Sequence, residues 1–135
     1  MTDGIDRLLE EERRLLNRLT PEQARDAAAA GGVIVDTRSH EQRLAGGTVP
    51  GSVRIHRNVL EWRVDASSGY QDPRLAARTG PIVIMCEQGY SSSLAAATLQ
   101  RLGIADATDM IGGFEAWSAA GLPVEPVSGP PPSGS

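Results

Sequence analysis

Ile82-Val83-Ile84-Met85 places four apolar residues in a row with no polar alternation. Such a run reads as a strand with both faces covered, since a half-wet strand would alternate. Val33-Ile34-Val35, following Gly31-Gly32, reads the same way and ends near Asp36. Briefer strands are expected at residues 53–55 and 107–110. Helical segments separate them. Thr20-Pro21-Glu22-Gln23 is a start signal: Thr20 serves as N-cap, Pro21 fits the first helical position, and Gln23 completes a capping box. Ser39 with Gln42 opens a second short helix, which closes at Gly46-Gly47, and Asn58 opens another through Leu60 and Trp62. Ser91 or Ser92 is expected to cap a longer helix that runs through Leu94 and Leu99 to Gly103, and residues 114–119 form the last. Alternating strands and helices predict a three-layer α/β fold: a central, mostly parallel five-stranded sheet, helices on both faces, and right-handed crossovers.

The chain of 135 residues fits one core rather than two. Ahead of it, Ile5, Leu8, Leu9, Leu15, Leu16 and Leu19 form one stripe, so residues 3–19 read as an amphipathic helix. The Pro/Gly/Ser-rich segment 126–135 reads as a disordered tail. No apolar run approaches the roughly 20 residues of a membrane span, and the first ten residues lack the pattern of a signal peptide. A net charge of −4 argues against a nucleic-acid surface. One cysteine allows no internal disulfide and fits a reducing, cytoplasmic setting. One cysteine and two dispersed histidines show no metal-ligand spacing, so neither a metal nor another cofactor is expected.

Cys86 sits directly after the strongest strand, where open α/β sheets form their sites. Glu87-Gln88-Gly89-Tyr90-Ser91-Ser92 follows. Gly89 permits a tight loop that curls backbone N–H groups inward, and the helix start adds partial positive charge. That combination would depress the thiol pKa and populate thiolate, the reactive form. Glu87 is expected to face solvent. Asp36 and Arg38 read as a structural pair bracing neighbouring loops, and Arg38, Arg43, Arg57 and Arg63 are the candidates for charge near the loop. Trp62 and Tyr90 read as a rim of the cleft, with a core position as the rival for Trp62. His56 could border the cleft, and His40 reads as a surface residue.

Four segments in order resemble the rhodanese-like sulfurtransferases, over residues 20–124. Val33-Ile34-Val35-Asp36-Thr37-Arg38 resembles the family's strand–Asp–x–Arg motif. Gly47-Thr48-Val49-Pro50-Gly51-Ser52 is similar to its Gly-His-Ile-Pro-Gly-Ala motif, with Thr48 in place of histidine. Ile84-Met85-Cys86 through Ser92 resembles the active-site loop, with Ser91 where an arginine is usual. Gly112-Gly113-Phe114-Glu115-Ala116-Trp117 with Gly121-Leu122-Pro123-Val124 resembles the closing motif.

The resemblance implies a rhodanese-like domain at 20–125 that takes a sulfane sulfur on Cys86 as a persulfide. The donor would be a small molecule such as thiosulfate and the acceptor a thiol or cyanide, in a ping-pong covalent mechanism. Cys86 is the expected catalytic residue and Glu87, Gln88, Gly89, Tyr90, Ser91 and Ser92 the substrate-binding loop, with Asp36, Arg38 and Arg57 in support. No nucleic acid or membrane partner is expected, and the chain reads as a monomer or weak homodimer. Two other functions stay open: a non-catalytic rhodanese-like binding or regulatory module, and a phosphatase or arsenate reductase. The last needs an arginine closing the cysteine loop, and the next one after Cys86 is Arg101.

Overall fold

The computed structural model describes residues 3–130. Four parallel strands form one sheet in the order β2-β1-β3-β4: β1 Val33–Asp36, β2 Val53–Arg54, β3 Ile82–Met85 and β4 Thr108–Asp109. The sheet has four strands rather than the five expected, and beside β4 only a single parallel bridge adds to it, in which Leu19 pairs with Met110. Pro21 lies two residues on and, with Thr20, opens the next helix, so the edge segment has no length in which to continue.

β3 shows why the apolar run must be continuous. Ile82 and Ile84 face one core with Val35, Leu60, Leu75 and Leu99. Val83 and Met85 face the other with Ile34, Phe114 and Trp117. Alternate side chains of one strand thus serve opposite layers, and both must be apolar. The first face is covered by α4 (Leu60–Val64), α5 (Pro73–Ala76) and α6 (Ser91–Arg101). The second is covered by α2 (Pro21–Ala29) and α7 (Gly113–Ala119), and α3 (His40–Gly46) follows β1. Both capping boxes form: Thr20 with Gln23 at α2, and Ser39 with Gln42 at α3. Trp117 is buried and donates its indole N–H to the Pro123 carbonyl at 2.8 Å.

The N-terminal helix, α1, spans Ile5–Arg13 and packs on α6, rather than running from 3 to 19. The helix tightens into three-residue bonds, Leu15 N–H to Glu12 and Leu16 N–H to Arg13. The chain then leaves the axis because Leu19 is drawn to the sheet edge, where its N–H donates to Asp109 and its carbonyl accepts from Ile111. Leu16 and Leu19 pack against the two cores, whereas Ile5, Leu8 and Leu15 stay exposed. The tail segment bends back as far as it is described. Glu125 bridges to Thr48, and the Gly129 carbonyl meets His40 Nε2 at 2.8 Å, which leaves His40 half-buried instead of on the surface. Residues 131–135 of the expected tail lie outside the described residues. No helix among the described residues is long and apolar enough to cross a membrane.

One ion cluster ties the irregular segment to this frame. Asp72 caps α5, accepts the Arg74 backbone N–H at 2.8 Å, pairs with the Arg74 guanidinium at 2.7 Å and meets Arg63 at 3.3 Å. Those bonds, Arg74 foremost, outweigh burial and bring its pKa from 3.8 to about 2. A depressed carboxylate stabilises the fold above its unfolded pKa and loses that contribution as pH falls through the folded one. Both guanidiniums are more than a third exposed, so screening reduces the effect to about 1–2 kcal/mol. Asp72→Asn keeps a capping oxygen but removes the charge. Its urea midpoint is expected below wild type at pH 6 and to converge with it as pH falls from 4 towards 2; a gap independent of pH would refute the assignment.

Candidate active site

The β3 strand delivers Cys86 to its carboxyl end, and the loop after it closes around the sulfur. The Gly89 N–H points at Cys86 Sγ from 3.1 Å and the Ser92 N–H from 3.4 Å. Ser92 belongs to the first turn of α6, whose N–H groups have no helical partner. Contrary to the expectation that Ser91 or Ser92 would cap this helix, the position before it is Tyr90, with no side-chain cap bond. The sulfur itself takes one of the orphan donors.

Glycine at 89 is required twice over. Its φ is +85°, and a Cβ there would lie 2.6 Å from the Gly112 nitrogen. The closing motif holds the loop from behind. Phe114 N–H donates to the Cys86 carbonyl at 2.8 Å, and Glu115 N–H to the Glu87 carbonyl at 3.0 Å. These bonds engage the two carbonyls at the start of the loop. Gly113 permits the approach, because a Cβ on it would meet the Cys86 oxygen at 2.4 Å.

Burial pushes the Cys86 thiol up, but the Ser92 and Ser91 hydroxyls and the N–H groups of Ser92 and Gly89 outweigh it and hold the pKa below the ordinary cysteine value. The single Ser92 hydroxyl proton is already donated to Asp109 at 2.8 Å. Hence the two amides carry more of this effect than the Ser92 side chain.

Cys86 is nearly buried, at 6% exposure, and opens into a cavity of about 230 Å³. Thr37, Arg38 and Gln42 line it from the β1 side, and Cys86, Glu87, Gln88, Tyr90 and Ser91 line it from the loop. A larger hollow of about 340 Å³ near Leu15, Gln100 and Asp106 lies away from Cys86.

Asp36 and Arg38 form the bracing pair expected of them. Both are buried, and the Arg38 guanidinium spans Asp36 at 3.1 and 3.0 Å. It also donates to the Gly47 carbonyl and lies 3.9 Å from the Phe114 ring centre. Asp36 further accepts the Thr48 hydroxyl at 2.8 Å, which is the work Thr48 does in place of histidine. Burial raises the Asp36 pKa, and Arg38 and Thr48 more than compensate, leaving it lowered.

Glu87 departs from expectation. Its carboxylate turns to Arg38, at 3.1 Å, instead of to solvent. Arg38 is desolvated and keeps an N–H on the cavity side that Asp36 does not use; leaving it unpaired would be expensive. Among the described residues Arg38 is therefore the one basic residue lining the Cys86 cavity, and two carboxylates already neutralise it.

The other arginine candidates are engaged elsewhere: Arg57 with Glu61, Arg63 with Asp72 and Arg43 with Asp36. Arg57 does not line the cavity. His56 also lies outside the lining and accepts the Asn58 N–H instead, at the start of the turn Arg57–Val59. Trp62 is neither core nor rim; it is exposed beside Leu102. Tyr90 does line the cavity.

A family model for the rhodanese-like domain matches residues 20–120. The chain belongs to this family. This rhodanese-like domain is 32% identical over 114 residues to the thiosulfate sulfurtransferase GlpE of Pseudomonas fluorescens, covering 84% of this chain and 94% of that one. It is 34% identical to the GlpE of Stutzerimonas stutzeri, over 74% of this chain and 83% of that one. Among solved structures it matches a Rhodopseudomonas palustris protein of unknown function, named a possible tyrosine phosphatase, with a TM-score of 0.82 and 34% identity, covering 93% of this chain and 96% of that one. The human single-domain sulfurtransferase TSTD1 shares the fold, with a TM-score of 0.60 and 22% identity over 76% of this chain and 95% of that one.

Proposed function

We propose that the protein is a sulfurtransferase that carries sulfane sulfur on Cys86. The observation that supports this most is the pair of amides, Gly89 and Ser92, converging on a buried sulfur at the floor of an open cavity. Relatives of nearly the same length that carry the name thiosulfate sulfurtransferase agree with it. In the first half-reaction the Cys86 thiolate attacks the outer sulfur of thiosulfate. The S–S bond of the donor breaks, sulfite leaves with the electron pair, and Cys86 becomes the persulfide. In the second, a thiolate or cyanide attacks the terminal sulfur and the Cys86 thiolate leaves. The same N–H groups serve both states, because thiolate and persulfide are both anions at neutral pH. The chain has no second cysteine, so the acceptor comes from outside, and neither half-reaction requires a cofactor.

Arg38 is neutralised by Asp36 and Glu87, so the donor's negative charge is met by loop N–H groups rather than by a free guanidinium. This favours a persulfide carrier with an undemanding donor site over an enzyme specialised for thiosulfate.

Incubation with thiosulfate is expected to add one sulfur, about 32 Da, to the protein, and cyanide is expected to remove it as thiocyanate. No mass gain with thiosulfate or with any other sulfane donor would favour the binding-module reading. The Rhodopseudomonas palustris relative raises the phosphatase reading, but the loop of this chain closes on Ser92, and Arg101 is held by Glu12 at 2.7 Å on the far end of α6. Among the described residues the one guanidinium lining the cavity, that of Arg38, is already held by Asp36 and Glu87.

A further inference from the structure

The family match begins at residue 20, yet two side chains from before it reach the sulfur-bearing loop. Arg13, in the last turn of α1, donates to the Gly89 carbonyl at 2.8 Å and to the Ser93 hydroxyl at 3.0 Å. Arg18 donates to the same carbonyl at 3.0 Å and grips Asp109 through two bonds of 2.8 and 3.1 Å. Asp109 is buried at the end of β4, and its Oδ2 also accepts the hydroxyls of Ser92 and Ser93 at 2.8 and 2.7 Å. A buried carboxylate needs a counter-ion, and among the described residues Arg18 is the cation bonded to this one.

Both residues whose amides face the sulfur are therefore clamped. Gly89 is held at its carbonyl by two guanidiniums, and Ser92 is held at its side chain by Asp109. The clamp matters most at Gly89, because glycine has the widest backbone freedom and nothing in its own side chain to restrain it.

We propose that Arg13 and Arg18 are positioning residues of the Cys86 site, through which the N-terminal segment completes a loop that has no cation of its own. This rests on Cys86 being the sulfur carrier. Its own readout is alkylation by iodoacetamide, which needs no sulfur donor, so the two readings fail separately.

The test follows the pH profile of Cys86 alkylation in the full chain. In Arg13→Ala the midpoint is expected to rise by about half to one unit, and the rate at neutral pH to fall about three- to tenfold. Arg18→Ala is expected to do the same, and sulfur loading should fall in parallel at neutral pH and recover in alkali. Arg13→Lys, whose ammonium still donates to the carbonyl, is expected to restore most of the loss. Glu12→Gln is the control: it loosens the α1–α6 pairing with Arg101 without touching the loop, and its midpoint should match wild type even though the protein melts earlier. Should Arg18→Ala fail to fold because Asp109 is left unpaired, the half-buried Arg13 carries the test alone. A folded Arg13→Ala with the wild-type midpoint overturns the proposal, and so does a Glu12→Gln profile displaced as far as that of Arg13→Ala.

Discussion

Replacing Cys86 by serine is expected to abolish sulfur loading while leaving the fold in place. The amides of Gly89 and Ser92 point at the sulfur, stabilise a thiolate and hold the thiol pKa below the ordinary cysteine value. A serine hydroxyl stays protonated, and the carboxylate that lines the cavity, Glu87, is turned to Arg38. Oxygen also cannot carry the sulfane sulfur as a stable intermediate. Loss of the nucleophile of a covalent mechanism typically removes about three orders of magnitude of rate or more, so thiocyanate formation should drop to background. The fold should tolerate the change, since serine is close in size and the two N–H groups that faced sulfur can face its oxygen. The measurement is intact mass after thiosulfate, alongside a thermal melt. A Cys86→Ser protein that still gained about 32 Da would remove Cys86 from the mechanism.

Asp36→Ala is expected to have the largest effect on stability. It removes the carboxylate that accepts two bonds from the Arg38 guanidinium, the Arg38 backbone N–H and the Thr48 hydroxyl. Arg38 would remain buried with Glu87 as its one carboxylate partner. Breaking a buried pair from one side typically costs about 3–5 kcal/mol, a large share of the roughly 5–15 kcal/mol by which domains are stable. The same cluster joins β1 to the Gly47 segment and, through Glu87, to the Cys86 loop, so sulfur loading should weaken together with the urea midpoint. Removing the charge from both sides, as in Asp36→Ala with Arg38→Met, is expected to recover part of the loss. If Asp36→Ala lowered stability by less than about 1 kcal/mol, the pair would be solvated in solution and the bracing role would be wrong.

The features readable from residues alone share a physical character: each rests on interactions over a few positions or on the period of a strand. The apolar run of Ile82–Met85 required covered faces, and both cores receive it. The capping pairs Thr20–Gln23 and Ser39–Gln42 formed where their spacing placed them, because a cap is closed within one turn. Cys86 followed by Gly89 at a strand-to-helix junction identified the sulfur cradle, since a tight loop there has few places to aim its amides. Trp117 behaved as the core anchor its helix start suggested.

What the chain order could not show are the partnerships across it. Arg13 and Arg18 lie 76 and 71 positions from Gly89, and Arg18 lies 91 positions from Asp109. No periodicity distinguishes these arginines from the other eleven of the thirteen in the chain. Glu87 turns inward to Arg38, which is 49 positions away and offers it an N–H that Asp36 does not use. The second half of the expected first helix gave way because Leu19 is bonded to the sheet edge beside β4, 90 positions along the chain. The position of Cys86 at the end of a buried strand is thus a local property of the sequence. The charge balance around it, with Arg38 neutralised and two distant guanidiniums holding its loop, exists only once the sheet brings these segments together, because long-range ion pairs depend on the path of the chain and not on the spacing of its residues.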